Sequence, residues 1–298
     1  METQSFHDGE LEVQRLAGET ERARATARAL GTEIVPGALR FIAQQPFFLA
    51  ATLDAAGRPR AGIVAGEPGF VRARSERELV VDAARLALEP PDLSLHLSAE
   101  ERIGLLFVEP ATRRRLRVNG TARALPEGGF AVQVLQAFPN CPQYVRRRGP
   151  AAEEPARAGA AGWSGGAGWT AELSPRIRRA DTFFVASRGP DGRLDVSHRG
   201  GEAGFVAVAD DGALRIPDYP GNSMFSTLGN LLRDPRASLL FADFEAGNVL
   251  ELAGRAALDF GARSPAADEL DTGRAWTFTP EEWRLGQGVL PFRLARLA

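Results

Sequence analysis

The chain has 298 residues, of which 44% are hydrophobic and 25% charged, enough apolar material for one large or two medium domains. Its formal net charge is −2, so no overall electrostatic attraction favours nucleic acid or an anionic membrane. The sequence contains no lysine, which excludes Schiff-base and other lysine-based chemistry.

The single cysteine, Cys141, cannot form an internal disulfide, so nothing suggests an oxidising compartment. The three histidines, His7, His96 and His198, lack cysteine or carboxylate neighbours at metal-ligand spacing, and we expect no metal site. Residues 1–29 contain no apolar run typical of a signal peptide or a membrane span. These features predict a cytoplasmic protein with no membrane segment.

Two helices are predicted at the start of the chain. Apolar residues between Gly9 and Leu30 recur with helical spacing among charged residues. Pro36 stands at the first turn of a second helix, which carries Phe41. We assign residues 1–45 to this helical extension and expect it to pack over one end of a barrel or against a partner subunit.

Short strands follow in a first domain, residues 46–148. Two apolar runs flank a turn that ends at Gly57, as in a β-hairpin. The predicted strands are 47–53, 61–64, 79–81, 103–108 and 116–124. Short strands separated by frequent turns indicate a barrel or a sandwich rather than a parallel α/β sheet.

The composition then changes to Ala, Gly, Glu and Pro, and we assign residues 149–172 to a linker or mobile loop. Residues 173–298 form the second predicted domain, which opens with a helix at Ser174-Pro175. Its predicted strands are 183–188, 194–197, 205–208, 214–216, 238–243 and 249–258, with helical character over 224–232. The sequence Thr279-Pro280-Glu281-Glu282 is a capping box and predicts a final short helix.

The two domains repeat one pattern. Phe47 is aligned with Phe183 and Gly69 with Gly204, and the closing Gly120 has its match 134 residues later. The offset is 135 residues at Gly69 and 134 at Gly120, so the register holds to one residue between these glycines. A repeat with so long a period indicates two copies of one supersecondary unit.

The second copy contains the densest group of polar candidate residues. Residues 195–206, 216–222 and 226–231 are richer in glycine, hydroxyl and amide groups than core strands require. A helix predicted to begin near Gly221-Asn222 adds free backbone N–H groups. Tight turns of a β protein are the alternative explanation. The combination predicts an anion site that could bind a phosphate without lysine.

These residues resemble the pyridoxamine 5′-phosphate oxidase-like, flavin-binding split β-barrel family. The resemblance rests on residues 197–206, 216–222 and 230–241 and on the late strand 250–256. Residues 140–144 also resemble a junction motif of double-barrel members. The resemblance implies a mainly β fold with accessory helices, in which two tandem split β-barrels hold FMN in a groove between them.

By position, the resemblance also implies site residues. The implied cofactor-binding residues are Ser197, His198, Arg199, Gly200, Asn222, Ser226, Thr227, Asn230 and Arg255. Cys141 and Tyr219 are expected as groove or substrate contacts. Cys141 is alternatively a buried structural thiol, and His198 is alternatively a turn residue. No catalytic residue is assigned.

The chain departs from the family at one point. Relatives often have an arginine shortly after the Gly-Asn pair, where this chain has Met224 and Phe225. The loss of that charge-assisted contact costs about 1.5–3 kcal/mol. The first copy has no segment like 216–222, and we expect it to build one wall of the groove. Its arginine run 113–115 is interpreted as a solvated face, with a contribution to the groove as the alternative.

The resemblance implies an FMN-dependent oxidoreductase that passes electrons to an unidentified small molecule or to dioxygen. A dinucleotide-binding glycine motif is absent from the sequence, so a reduced nicotinamide would bind transiently or a separate reductase would deliver electrons. The alternative is a non-catalytic binding protein for flavin, deazaflavin or a haem-like ligand. A nucleic-acid module is disfavoured. Since such barrels commonly associate, we expect a homodimer, with an intramolecular pseudo-dimer as the other arrangement.

Overall fold

The computed structural model describes residues 6–90, 101–151, 162–261 and 270–297. His96 and residues 152–161 of the predicted linker lie outside these ranges. Within them, the protein consists mainly of strands with five short α-helices. The mainly β fold with accessory helices is therefore confirmed.

The helices are α1 (Asp8–Leu16), α2 (Thr20–Thr26), α3 (Pro36–Gln44), α4 (Ser174–Arg179) and α5 (Ser226–Arg233). The strands of the first half are β1 (Phe47–Leu53), β2 (Pro59–Gly66), β3 (Val71–Ser75), β4 (Glu78–Val81), β5 (Leu86–Leu88), β6 (Glu101–Glu109), β7 (Arg114–Ala124) and β8 (Phe130–Asn140). The later strands are β9 (Arg148–Pro150), β10 (Gly162–Ala167), β11 (Thr182–Arg188), β12 (Leu194–Gly200), β13 (Ala207–Val208), β14 (Leu214–Pro217), β15 (Arg236–Asp243), β16 (Asn248–Phe260), β17 (Arg274–Gln287) and β18 (Leu294–Arg296).

Both halves have the same strand order. The first sheet runs β3-β4-β8-β7-β6-β1-β2-β5, and the second runs β13-β14-β17-β16-β15-β11-β12. The seven strands of the second sheet correspond in order to the first seven of the first sheet, and every pairing is antiparallel. The duplication into two tandem split β-barrels is therefore confirmed.

The structure shifts the alignment of the repeat by one residue at its start. The strand pairing places equivalent residues of β1 and β11 135 positions apart. Phe48, and not Phe47, is thus the counterpart of Phe183, and both fill the core of their own barrel. Phe47 and Phe184 instead face the other barrel. Because side chains alternate across a strand, the one-residue shift exchanges these two faces.

The barrels share an apolar seam formed by β1, β2 and β6 on one side and β11, β12 and β15 on the other. Its central side chains are Phe47, Leu49, Ile63 and Leu106 from the first barrel and Phe184, Val196 and Leu240 from the second. All are almost completely buried. The two barrels are consequently packed as one unit, because burial of so many apolar groups is strongly favourable.

The predicted helix between residues 9 and 30 is divided. Gly18 adopts a φ of +69°, which ends α1 and lets the chain turn into α2. α1 crosses α5 of the second barrel so closely that a Cβ at Gly9 would lie 2.3 Å from the carbonyl oxygen of Gly229. The second predicted helix, α3, begins at Pro36 and packs against the first barrel.

The helix predicted at Thr279-Pro280 is wrong, because both residues lie within β17. The ladder between β16 and β17 shifts register between Ala253 and Gly254, which is paired with Pro280. A bulge of this kind tolerates a residue without an N–H group. Pairing with β16 therefore overrides the local capping signal.

Edge strands lie within the segment predicted as a linker. β10 pairs with β17, and β9, which overlaps the start of that segment, pairs with β18. The domain limits at residues 148, 172 and 45 stay predictions. No helix in the described ranges has the length and apolar character needed to cross a membrane.

Candidate functional site

A cleft of about 900 Å³, open to solvent, lies between the two barrels. β7 and the segment after β8 line it from the first barrel. β12, the segment after β14 and the first turn of α5 line it from the second. The cleft is therefore built jointly by the two copies of the repeat.

Most of the residues predicted for the site meet in this cleft. Its lining includes Ser197, His198, Arg199, Gly200, Asn222, Ser226, Thr227, Cys141 and Tyr219. Two others are not among its lining residues. Asn230 is a buried residue of α5 whose Nδ2 donates to Ser187 Oγ at 2.9 Å and whose Oδ1 is 2.9 Å from His7 Nε2. Arg255 is exposed on β16. The roles of all these residues toward a ligand stay predictions.

The charge of Arg199 is compensated within the protein. Its Nη1 donates to Oδ1 of the buried Asp218 at 2.7 Å. The other oxygen of Asp218 accepts from Arg274 Nε at 3.0 Å, and Arg274 also pairs with Glu19. Arg199 is thus part of an ion-pair network that holds the wall of the cleft.

Arg117 is compensated in the same way, by the opposite barrel. Its Nη1 lies 2.9 Å from Asp195 Oδ1, and its Nη2 donates to Ser197 Oγ at 2.7 Å. The hydroxyl of Ser197 in turn donates to Asp195 Oδ2 at 2.9 Å. The guanidinium also lies over the ring of Phe138, 5.0 Å from its centroid. This network joins β7 to β12.

Arg115 has no carboxylate partner among the described residues. Its Nη2 donates to the backbone carbonyl oxygens of Cys141 and Gln143, and its buried Nε has no hydrogen-bond partner in the described part of the chain. Burial lowers the pKa of Arg115 to about 10, and the positive charges of Arg117 and Arg199 act in the same direction. Arg115 therefore remains charged at neutral pH and brings an uncompensated positive charge to the cleft.

His198 is held neutral. Burial, followed by the positive charges of Arg115, Arg199 and Arg148, lowers the pKa of His198 well below its usual value. Its Nε2 is buried without a hydrogen-bond partner within the described ranges. The residue lies on β12, opposite Phe184, so its interpretation as a turn residue is wrong. A neutral, unpaired imidazole nitrogen is available to a ligand.

Backbone strain is concentrated at the cleft. Tyr144, Ser223 and Phe225 have φ values of +63°, +62° and +59°, and all three line the cleft. Such left-handed conformations cost about 1–3 kcal/mol each outside glycine and persist where the surroundings enforce them. Gly200 accommodates the strained turn, because a Cβ there would lie 2.1 Å from the carbonyl oxygen of Tyr144.

The first turn of α5 presents backbone donors to the cleft. Phe225 occupies the N-cap position and provides no side-chain cap. The first N–H groups of a helix have no partner within the helix, and the helix dipole favours negative charge at this end. Ser226 and Thr227, which line the cleft, are the first two residues of α5. This arrangement suits an anion.

One residue of the site, Arg117, is not among those predicted from the sequence. The interpretation of residues 113–115 as a solvated face holds for Arg113 and Arg114, which are exposed, whereas Arg115 lines the cleft, as the alternative interpretation expects. The available signal was the alternation Arg115-x-Arg117, which places both side chains on one face of a strand. Cys141 is exposed at the cleft, so its interpretation as a buried thiol is wrong.

Comparison with known proteins gives one family. A family model described as "Pyridoxamine 5′-phosphate oxidase" matches residues 35–153 and, a second time, residues 169–285. No curated protein matches the chain.

Solved structures similar to the chain include a provisionally named pyridoxamine 5′-phosphate oxidase from Lactobacillus delbrueckii, with 16% identity, 39% of this chain and 93% of the other covered, and a TM-score of 0.32. A pyridoxamine 5′-phosphate oxidase-related, FMN-binding protein from Nostoc punctiforme has 13% identity, coverage of 40% and 78%, and a TM-score of 0.27. General stress protein 26 from Bacillus anthracis has 9% identity, coverage of 42% and 96%, and a TM-score of 0.28.

Proposed function

Because the chain belongs to the pyridoxamine 5′-phosphate oxidase family, we propose that its inter-barrel cleft binds FMN and that the protein is an FMN-dependent oxidoreductase. The observation that carries the proposal is the convergence of an uncompensated arginine and an uncapped helix N-terminus where the two copies meet. Bound FMN would supply the electron-transfer chemistry. Its substrate would be a small molecule or dioxygen, with electrons from a nicotinamide or a separate reductase.

The residues present fit a phosphorylated ring compound. Arg115 supplies a positive charge without a carboxylate partner among the described residues. Ser226 and Thr227, which line the same cleft, supply backbone donors at the start of α5, and Thr227 adds a hydroxyl group. Arg199, neutralised by Asp218, contributes less net charge. Arg115 thus compensates for the missing arginine after the Gly-Asn pair, and a phosphate would bind between the first barrel and α5.

The remaining lining suits a flat aromatic group with a polar edge. The rings of Tyr144 and Tyr219 lie 5.4 Å apart, and the hydroxyl of Tyr144 donates to the Pro220 carbonyl oxygen at 2.9 Å, which fixes its ring. Nε2 of the neutral His198 would hydrogen-bond to a polar ring atom of the ligand. The open side of the cleft leaves access for a substrate.

The experiment is a titration of the purified full chain with FMN, followed by flavin fluorescence, for Arg115→Gln and for Arg113→Gln as the matched control. Loss of a charge-assisted contact of about 1.5–3 kcal/mol raises the Kd of the Arg115 variant about 10- to 100-fold. Arg113 is exposed and does not line the cleft, so its variant keeps the wild-type Kd.

Absence of FMN binding by the wild type would refute the proposal, and identical curves for the two variants would remove Arg115 from the site. Bleaching of the flavin colour by a reduced nicotinamide demonstrates electron transfer. A colour that dithionite bleaches but no nicotinamide or reductase changes would instead favour the non-catalytic binding protein.

A further inference from the structure

Two buried ion pairs join the barrels. Arg117 of the first barrel pairs with Asp195 of the second at 2.9 Å, and Arg60 of the first pairs with Glu251 of the second at 2.8 Å. All four side chains are less than a tenth exposed. Glu251 is held further by the hydroxyl of Ser238 at 2.8 Å.

The two pairs occupy equivalent places in the duplicated fold. Arg117 on β7 and Glu251 on β16 are counterparts, as the pairing of β6 with β7 and of β15 with β16 shows. Arg60 on β2 and Asp195 on β12 are counterparts in the same sense. The contacts between barrels are reciprocal, because β12 packs on β6 and β7 while β2 packs on β15 and β16. The two ion pairs are therefore related by the duplication, but with opposite signs: the first barrel contributes the arginine to both pairs, and the second barrel contributes the carboxylate.

This exchange makes each barrel complementary to the other and not to itself. A first barrel paired with another first barrel would bring Arg117 against Arg60 in a buried seam. Two second barrels would bring Glu251 against Asp195. Buried like charges are strongly unfavourable, so both arrangements are disfavoured. Because the two barrels belong to one chain, each is present at a high effective concentration near the other. This favours pairing within the chain over pairing between chains.

The place equivalent to the cleft is also chemically different. Val249 stands there at the position of Arg115, and Ile63 stands at the position of His198. The unpaired cation and the neutral imidazole of the cleft are both replaced by apolar side chains. This second place thus has no counterpart of Arg115 or His198. The arginines in its lining are Arg60, which is paired with the buried Glu251, and Arg284.

The second place is smaller and partly covered. Its volume is about 410 Å³, against about 900 Å³ for the cleft. Pro90 lies over Gly62, since a Cβ at Gly62 would be 2.3 Å from Pro90 Cγ. Trp163 of β10, which pairs with Gly286 of β17, forms another part of its lining.

We propose that the chain is a monomeric pseudo-dimer in which the charge-exchanged ion pairs select the intramolecular pairing of the barrels, and that it carries one ligand per chain. The stoichiometry rests on the proposed function, whereas the pairing does not.

Exchange of two charges between the barrels tests the pairing. In the variant Arg60→Asp with Asp195→Arg, each intramolecular contact joins like charges: Arg117 then meets a new guanidinium, and Glu251 meets a new carboxylate. Like barrels become complementary instead. The mass measured by light scattering is expected to double from one chain to two. Adding Arg117→Glu and Glu251→Arg restores opposite charges within the chain and should restore the single-chain mass.

A wild type with the mass of two chains would overturn the pairing, and so would a folded double variant that keeps the wild-type mass. If the double variant aggregates, the fourfold variant decides. A fourfold variant with the mass of one chain supports the inference, and one that also aggregates or has another mass overturns it. Saturation of the wild type at one FMN per chain supports the proposed stoichiometry, and saturation at two FMN per chain overturns it. If the wild type binds no FMN, the proposed function is refuted, but the pairing of the barrels is still tested by the mass measurement.

Discussion

Three arginines of one cleft differ in what they can do because their partners differ. Arg117 and Arg199 are each paired with a buried aspartate, whereas Arg115 donates to backbone carbonyl oxygens alone among the described residues. A paired arginine positions neighbouring groups, and an unpaired one attracts an anion. The chemistry of the residue therefore depends on its neighbours and not on its type.

His198 should make stability depend on pH. Its pKa is lowered in the folded chain, so between about pH 6.5 and the lower folded value the unfolded chain binds more protons than the folded one. The free energy of unfolding therefore falls as the pH drops below about 6.5, by up to about 1.4 kcal/mol per pH unit. His198→Gln removes this contribution. Urea unfolding of both proteins between about pH 5 and pH 7 measures it, and equal pH slopes would contradict the assignment.

The N-terminal helices act on the site through the loop before α5. Gln14 of α1 donates to the carbonyl oxygen of Met224 at 3.3 Å, and Thr26 of α2 donates to that of Asn222 at 2.9 Å. These bonds hold a loop that contains two strained residues. The helices at the start of the chain thus position the turn before α5, the proposed anion site, which is remote in the sequence, and local patterns do not reveal this contact.

Two matched glycine variants test this contact. Gly9 and Gly37 are each the second residue of a helix. Gly9→Ala places a Cβ against the backbone of Gly229 in α5, so we expect a loss of about 1–3 kcal/mol of stability and weaker FMN binding. Gly37→Ala meets nothing within 4 Å and should stabilise by about 0.5–1 kcal/mol. Thermal unfolding and FMN titration measure both, and equal behaviour would exclude a tight crossing of α1 and α5.

At the scale of the whole molecule, duplication preserved the strand order and changed the chemistry. His198 and Ile63 occupy equivalent places, as do Arg117 and Glu251. Both sides of the apolar seam between the barrels nevertheless bury large aliphatic and aromatic groups. Packing therefore supplies the stability of the assembly, and the buried charges select its arrangement.

Removal of one partner from a buried pair should destabilise the whole chain. Glu251→Gln leaves Arg60 with only the partly exposed Glu282 among the described carboxylates, and we expect a loss of about 3 kcal/mol. Glu21→Gln breaks the exposed pair with Arg24 and should change stability by less than about 0.5 kcal/mol. Denaturant unfolding compares the two variants. Similar losses in both would show that the buried pair does not hold the barrels together.

Local patterns were sufficient for the duplicated β structure and for the polar segment before α5, because turn glycines and strand alternation lie within a few neighbouring residues. The tandem split barrels and most of the cleft residues came from the family resemblance. Local patterns failed at Thr279-Pro280, where a helix was predicted and the chain instead pairs with β16. They also failed at the start of the repeat, where an error of one residue aligned the seam-facing Phe47 with the core-facing Phe183. The partners of Arg117 come from the packing of the two barrels, since Arg117 and Ser197 are 80 residues apart. The partners of Arg115 and Arg199 lie within the same barrel but at least 19 residues away, beyond the reach of a local pattern. Charge compensation is a property of distances in space, and a linear pattern of residue types does not contain them.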